Sequence, residues 1–159
     1  MVTSASLKEQ LQERIRTIEQ LTSDVSNEQA AEAPAEGEWC VKEVLSHLAG
    51  AETRSFYDGI NAFVEQDTPT LELTPGQSYF YSTRQDASVA ELRTSVIDQY
   101  NQIGDLLGGL SDEQLTRTAH MPGFKETPLG ENPTLGSWAA GLINYHLPDH
   151  IAQLQSLCE

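Results

Sequence analysis

Positive charge is scarce in this chain. Nine Lys and Arg stand against 24 Asp and Glu, for a formal net charge of −15 over 159 residues and a pI near 4.4. The nine cations are spread thinly, with no basic run. The electrostatic attraction that draws proteins to nucleic acid or to an anionic membrane is therefore missing. The acidity reads as a solubility feature, with a modest preference for neutral or cationic ligands. Cysteine is almost absent: Cys40 and Cys158 are too few and too far apart for a disulfide framework, which fits a reduced, cytoplasmic setting. Cys40 follows Trp39 at a helix entrance, where a thiolate is favoured, yet a small buried hydrophobe is the commoner role of a free Cys. No apolar stretch approaches the roughly 18 residues of a membrane span. The first residues, Met1-Val2-Thr3-Ser4, lack the basic-then-apolar pattern of a secretory signal. Two-residue alternation flanked by hairpin turns is also lacking, so strands are not expected.

What remains is helical. From Ser4 or Ser6, either a candidate N-cap, to about Ser23, apolar residues fall at Leu7, Leu11, Ile15, Ile18 and Leu21. Residues 27–38, Glu-rich and holding Pro34 and Gly37, read as a connection. Val41, Val44, Leu45, Leu48, Phe56, Ile60 and Phe63 keep one helical period from Trp39 onward, with Gly59 a tolerated weakness. Residues 67–86 carry Pro69, Pro75 and Gly76 and show little period; a connection that long is often a lid or a binding loop. Its aromatics Tyr79-Phe80-Tyr81 suit either a pocket wall or a plug for the bundle's end. Val89, Leu92, Val96, Tyr100, Ile103 and Leu107 form a third stripe, closed by Gly108-Gly109. After a short turn at Ser111 and a Pro/Gly-rich stretch over 116–133, Thr134 can cap a last helix through Trp138, Leu142, His146, His150, Leu154 and Leu157. Length and pattern predict a single domain over 1–159, all-α, a four-helix bundle with long crossover connections.

Histidine supplies the chemistry. His146 and His150 stand four apart on the last helix, about 40° and about 6 Å from each other, so both can reach one ion. His47 lies on or beside the buried stripe of the second helix. Neutral imidazole is the commonest protein ligand for zinc, nickel and iron, and three such ligands leave a coordination position for water or substrate. A lone histidine on an apolar face is more often a hydrogen-bonded core or pocket residue than a ligand. The pair is not a zincin motif, because Leu147-Pro148-Asp149 separates it and no Glu follows the first His. Pro148 stands out. Inside a helix it removes one hydrogen bond and clashes with the carbonyl of Asn144, which suggests either a bend that aims the pair or a packing accommodation. His120, in the Pro/Gly-rich stretch, reads as a surface residue.

The block Trp39-Cys40-Val41-Lys42-Glu43-Val44-Leu45-Ser46-His47-Leu48, with Glu52 following, resembles the second helix of the DinB-like superfamily. The block Asn144-Tyr145-His146-Leu147-Pro148-Asp149-His150-Ile151-Ala152-Gln153-Leu154 resembles its last helix. The resemblance implies a four-helix bundle with a long crossover. It also implies a divalent metal, Zn or Ni, on His47, His146 and His150, and it allows a homodimer. The family's name derives from a damage-inducible gene and implies no DNA binding.

Two enzymatic readings follow from a triad with an open position. Related families include bacillithiol- and mycothiol-dependent transferases and isomerases, so S-transfer from a low-molecular-weight thiol to a small electrophile leads. Hydrolysis comes second, and a non-catalytic bundle holding metal or a small molecule third. No general base is identifiable. Glu43, one turn before His47, could orient its ring; Glu52 could face another helix; Asp149 projects about 100° aside from the pair. For all three a solvated helix face is the simpler reading.

Overall fold

A computed structural model describes residues 2–159. The first helix, α1 (Ser4–Thr22), starts at Thr3, whose side chain accepts from the Ser6 backbone, so the cap lies one residue before the earliest expected from sequence. Its buried residues are Leu7, Leu11, Ile15, Ile18 and Thr22. A single turn, α2 (Asn27–Ala30), interrupts the expected connection under a Ser26/Gln29 capping box. The helix expected to run unbroken from Trp39 is two helices, α3 (Val41–Ala49) and α4 (Phe56–Glu65). Gly50 ends α3 at φ 79°, in the left-handed region that favours glycine. Ser55 and Asp58 then open α4 with a capping box, satisfying backbone donors that a continuous helix would not have exposed. A short α5 (Ser82–Asp86) precedes α6 (Val89–Gly108), whose buried face is the stripe read from sequence plus Gly104. After α7 (Asp112–Leu115) and a single 3-10 turn, Pro122–Phe124, the last helix begins with α8 (Leu135–Gly141), capped by Thr134.

The four long segments enclose one core. α1 packs most extensively on α6 and then on α9 (Leu147–Leu157), while α3 also packs on both. Helices one and two therefore sit diagonally across the bundle rather than side by side, as do three and four. The connections cross over accordingly. The two long ones also pair with each other: Leu71 N–H donates to the His120 carbonyl and His120 N–H to that of Pro69, both at 2.8 Å. His120, read as a surface residue, is half-buried, with its Nδ1 3.1 Å from Asn132 Oδ1. Arg117 closes the arrangement, donating to the carbonyls of Phe63 (2.6 Å) and Gln66 (2.7 Å) at the end of α4. Among the described residues there are only isolated bridges and no strands.

Between α8 and α9 the helix widens into a π turn, Leu142–His146. Pro148, at the start of α9, explains it. Its ring cannot sit against the carbonyl four residues back, and a wider turn relieves that clash. In the wider turn Leu147 N–H donates to the Leu142 carbonyl, five residues back. The next carbonyl, Ile143, would then need an N–H from Pro148, which has none. Arg14 of α1 supplies the donor instead, its Nε 3.3 Å from the Ile143 oxygen. One cation thus satisfies the carbonyl that the proline strands, and ties the first helix to the turn that carries His146. Arg14→Ala should lower the free energy of unfolding by about 1–3 kcal/mol, the cost of orphaning a largely buried carbonyl. Urea denaturation checks this; an unchanged midpoint would mean the carbonyl finds water or another donor.

Candidate metal centre

The three histidines read from sequence meet. His47, His146 and His150 each offer a ring nitrogen, and the three atoms lie within 4.8 Å of one another. The ring centroids are 5.0 Å (His47 to His146), 4.6 Å (His47 to His150) and 4.7 Å (His146 to His150) apart. His47 comes from the last turn of α3. His146 ends the π turn and His150 stands in the first turn of α9. The neighbouring positions of helices two and four bring these elements face to face.

For His47 and His150 the partner of the outer nitrogen fixes which nitrogen faces inward. His47 Nδ1 hydrogen-bonds the Gln77 carbonyl, an acceptor only, so Nδ1 carries the proton and Nε2 keeps its lone pair. His150 Nδ1 lies 2.9 Å from Gln153 Oε1, which selects the same tautomer. His146 Nε2 is buried and has no hydrogen-bond partner. A buried imidazole nitrogen left unpaired is costly, and a divalent ion is the partner that this donor set fits. Zinc–nitrogen bonds of about 2.0–2.1 Å place tetrahedral nitrogens roughly 3.4 Å apart, a modest contraction of the observed cluster.

Electrostatics favours neutral ligands. Burial, with His150 and His47 nearby, pushes His146 down to about 3. Burial also lowers His47, against the raising effect of its bond to Gln77. Aromatic rings hold the imidazole planes: Trp39 stacks on His150 at 6.2 Å and 10°, Tyr79 on His47 at 6.2 Å and 3°. Phe56, the first residue after the break in helix two, packs at 5.9 Å from His146 and 6.5 Å from His47. Gly50 makes room for it, since a Cβ there would meet the Phe56 ring at 3.2 Å.

Both long connections wall a cleft of about 800 Å³ that opens onto the histidines. From the first come Leu73 to Gly76 and Tyr79; from the second come Phe124 and Thr127 to Leu129. Phe124 seats edge-on against Trp138 of α8 at 5.0 Å. Of the aromatic triplet only Tyr79 reaches this cleft; Phe80 and Tyr81 line a separate surface hollow with Tyr79. Tyr79 has φ 54°, which costs a non-glycine residue about 1–3 kcal/mol. Its carbonyl is held by Ser46 Oγ at 2.8 Å, Arg84 Nη1 at 3.2 Å and the Tyr81 N–H at 2.9 Å.

The carboxylates considered from sequence do not orient His47. Glu43 accepts from the Cys40 backbone at the start of α3, Glu52 from the Thr83 hydroxyl, and Asp149 lines the cleft. The orienting acceptors are Gln77 and Gln153, which sequence reasoning missed. Gln153 was findable, three residues after His150 on one helix face; a loop carbonyl such as Gln77 carries no side-chain signal. Cys40 is buried and its thiol is raised by that burial, as befits a small hydrophobe.

The chain belongs to the DinB superfamily, whose family model matches residues 10–154. It is 24% identical over 146 residues to a protein of Oceanobacillus iheyensis named a putative metal-dependent hydrolase, covering 91% of this chain and 79% of that one. The solved structure of YfiT from Bacillus subtilis superposes with a TM-score of 0.79 at 21% identity, over 97% of this chain and 85% of that one. YfiT is described as a probable metal-dependent hydrolase with an unusual four-helix bundle topology. The diagonal placement of consecutive helices agrees with a bundle of that kind.

The buried imidazole gives a pH dependence of known sign. In the unfolded chain a histidine titrates at about 6.5, whereas His146 folded titrates at about 3. Between those values the unfolded state binds the extra proton, so stability falls as pH is lowered through that window. Chelator-treated wild type should lose stability from pH 6.5 to 4 more steeply than His146→Leu does, by thermal melts at matched ionic strength. Parallel slopes would contradict the buried neutral imidazole.

Proposed function

We propose that the protein is a metal-dependent hydrolase of a small molecule, with His47, His146 and His150 as ligands of one Zn or Ni ion. The observation that carries this reading is the unpartnered His146 Nε2 among three converging ring nitrogens at the base of an enclosed cleft. A divalent ion there supplies Lewis acidity and lets water or a thiol ionise near neutral pH. This chain's own residues do the rest. The Gln77 carbonyl and the Gln153 amide hold His47 and His150 in one tautomer, and Trp39 and Tyr79 hold their planes. Phe56, Phe124 and Trp138 make much of the cleft's wall apolar, which strengthens charge interactions within it. The names of the two relatives favour hydrolysis over the thiol chemistry that the sequence resemblance puts first.

S-transfer from a low-molecular-weight thiol is the second reading, and one feature favours it. Asp149 is the only carboxylate among the described residues lining the cleft, and a coordinated thiol would rely less on a base than water would. Zinc- and nickel-loaded protein, assayed on aryl esters, anilides and a lactone panel, should give turnover that His146→Ala abolishes. Turnover of electrophiles such as chlorodinitrobenzene only when a small thiol is added would replace hydrolysis with S-transfer. No turnover in either format would remove the enzymatic reading.

A further inference from the structure

The cleft is chemically one-sided. Leu73, Phe124, Leu129, Trp138 and Leu142 give it an apolar wall, and no Lys or Arg is among the described residues that line it. Lys125 and Glu126, beside Phe124, are both exposed and outside the lining, and their charges oppose. Asp149 is the one carboxylate, and it is exposed. It has no cationic partner: the single ion pair among the described residues is Lys8 with Asp105, elsewhere on the surface. Tyr145, four residues before Asp149 and also on the cleft, leaves 75% of its surface in solvent, an unusual position for a large aromatic ring. A free carboxylate and an exposed phenol ring lining the same cleft suit an ammonium or amidinium group, by charge attraction and by cation–π contact. The remaining charge of the chain, −15, acts in the same direction at long range.

We propose that the cleft takes a small molecule with an apolar body and a cationic tail. The body lies along the Phe124 and Trp138 wall, and the tail sits between Asp149 and Tyr145. Anionic tails are disfavoured there. A volume of about 800 Å³ falls in the range of small-molecule sites. The inference rests on the reading that the three histidines hold an ion with a position open to the cleft, and it adds the charge of a second group on the ligand.

The probes are three benzohydroxamates that share one metal-binding group: unsubstituted, para-trimethylammoniomethyl and para-carboxymethyl. Each is titrated calorimetrically into zinc-loaded protein, with zinc content measured before and after. The ammonium compound should bind most tightly and the carboxylate compound about tenfold more weakly than it. Asp149→Asn should reduce the ammonium compound to the affinity of the unsubstituted one. Tyr145→Ala, at an exposed position, should narrow the same gap and serves where Asp149→Asn loses zinc. Equal or tighter binding of the carboxylate compound, with zinc retained, would overturn the charge selection and leave the open metal site standing. No binding of any of the three, with zinc retained, would overturn the open position and the inference together.

Discussion

His146 is half-buried, but its ring Nε2 is out of reach of solvent and unpaired, and much of the surrounding structure keeps it there. Leaving such a group without a partner costs about 1–3 kcal/mol, so a fold tolerates it only where something is gained. The rings around His146 are those of two further histidines and Phe56, and none of them donates to its Nε2. Protonation is suppressed by the same burial. The ring is thereby kept neutral at neutral pH, with a lone pair to offer, which is what coordination of a metal requires.

Two departures from regular helix serve that end. Pro148 forces the π turn that carries His146, and Arg14 satisfies the carbonyl the turn leaves behind. Gly50 stops α3 one turn after His47, and Phe56 enters against the gap. Local irregularity concentrated beside a cluster of potential ligands is the pattern expected where function, rather than packing, sets the geometry. The loop over α3 is fastened to the cluster as well, through Gln77 on His47 and Tyr79 on Ser46.

Much of this was legible in the sequence, and the misses have definite causes. The stripes of α1 and α6 are regular because each buries one face along its whole length, and burial follows them closely. The break in helix two was hidden because Leu48 and Phe56 are eight residues apart, a spacing that keeps helical phase whether or not the chain stays helical between them. The Ser55-x-x-Asp58 signal that marks the restart was present. Pro148 pointed to a distortion without saying which kind, since a kink and a π turn relieve the same clash. The His146–His150 pair was readable from its four-residue spacing, and the resemblance to the DinB-like superfamily joined His47 to it as a potential third ligand. The Gln77 acceptor was not, because a loop's path depends on tertiary contacts that no local pattern encodes.

The central claim is that one divalent ion is held by the three histidines together. The most direct measurement is elemental analysis of protein purified without a His-tag or chelator, beside His47→Ala prepared identically. The prediction is about one equivalent of Zn or Ni in the wild type, lost in the variant while its circular dichroism stays helical. Absence of metal from the wild type even after incubation with excess Zn or Ni, or an undiminished content in His47→Ala, would contradict it.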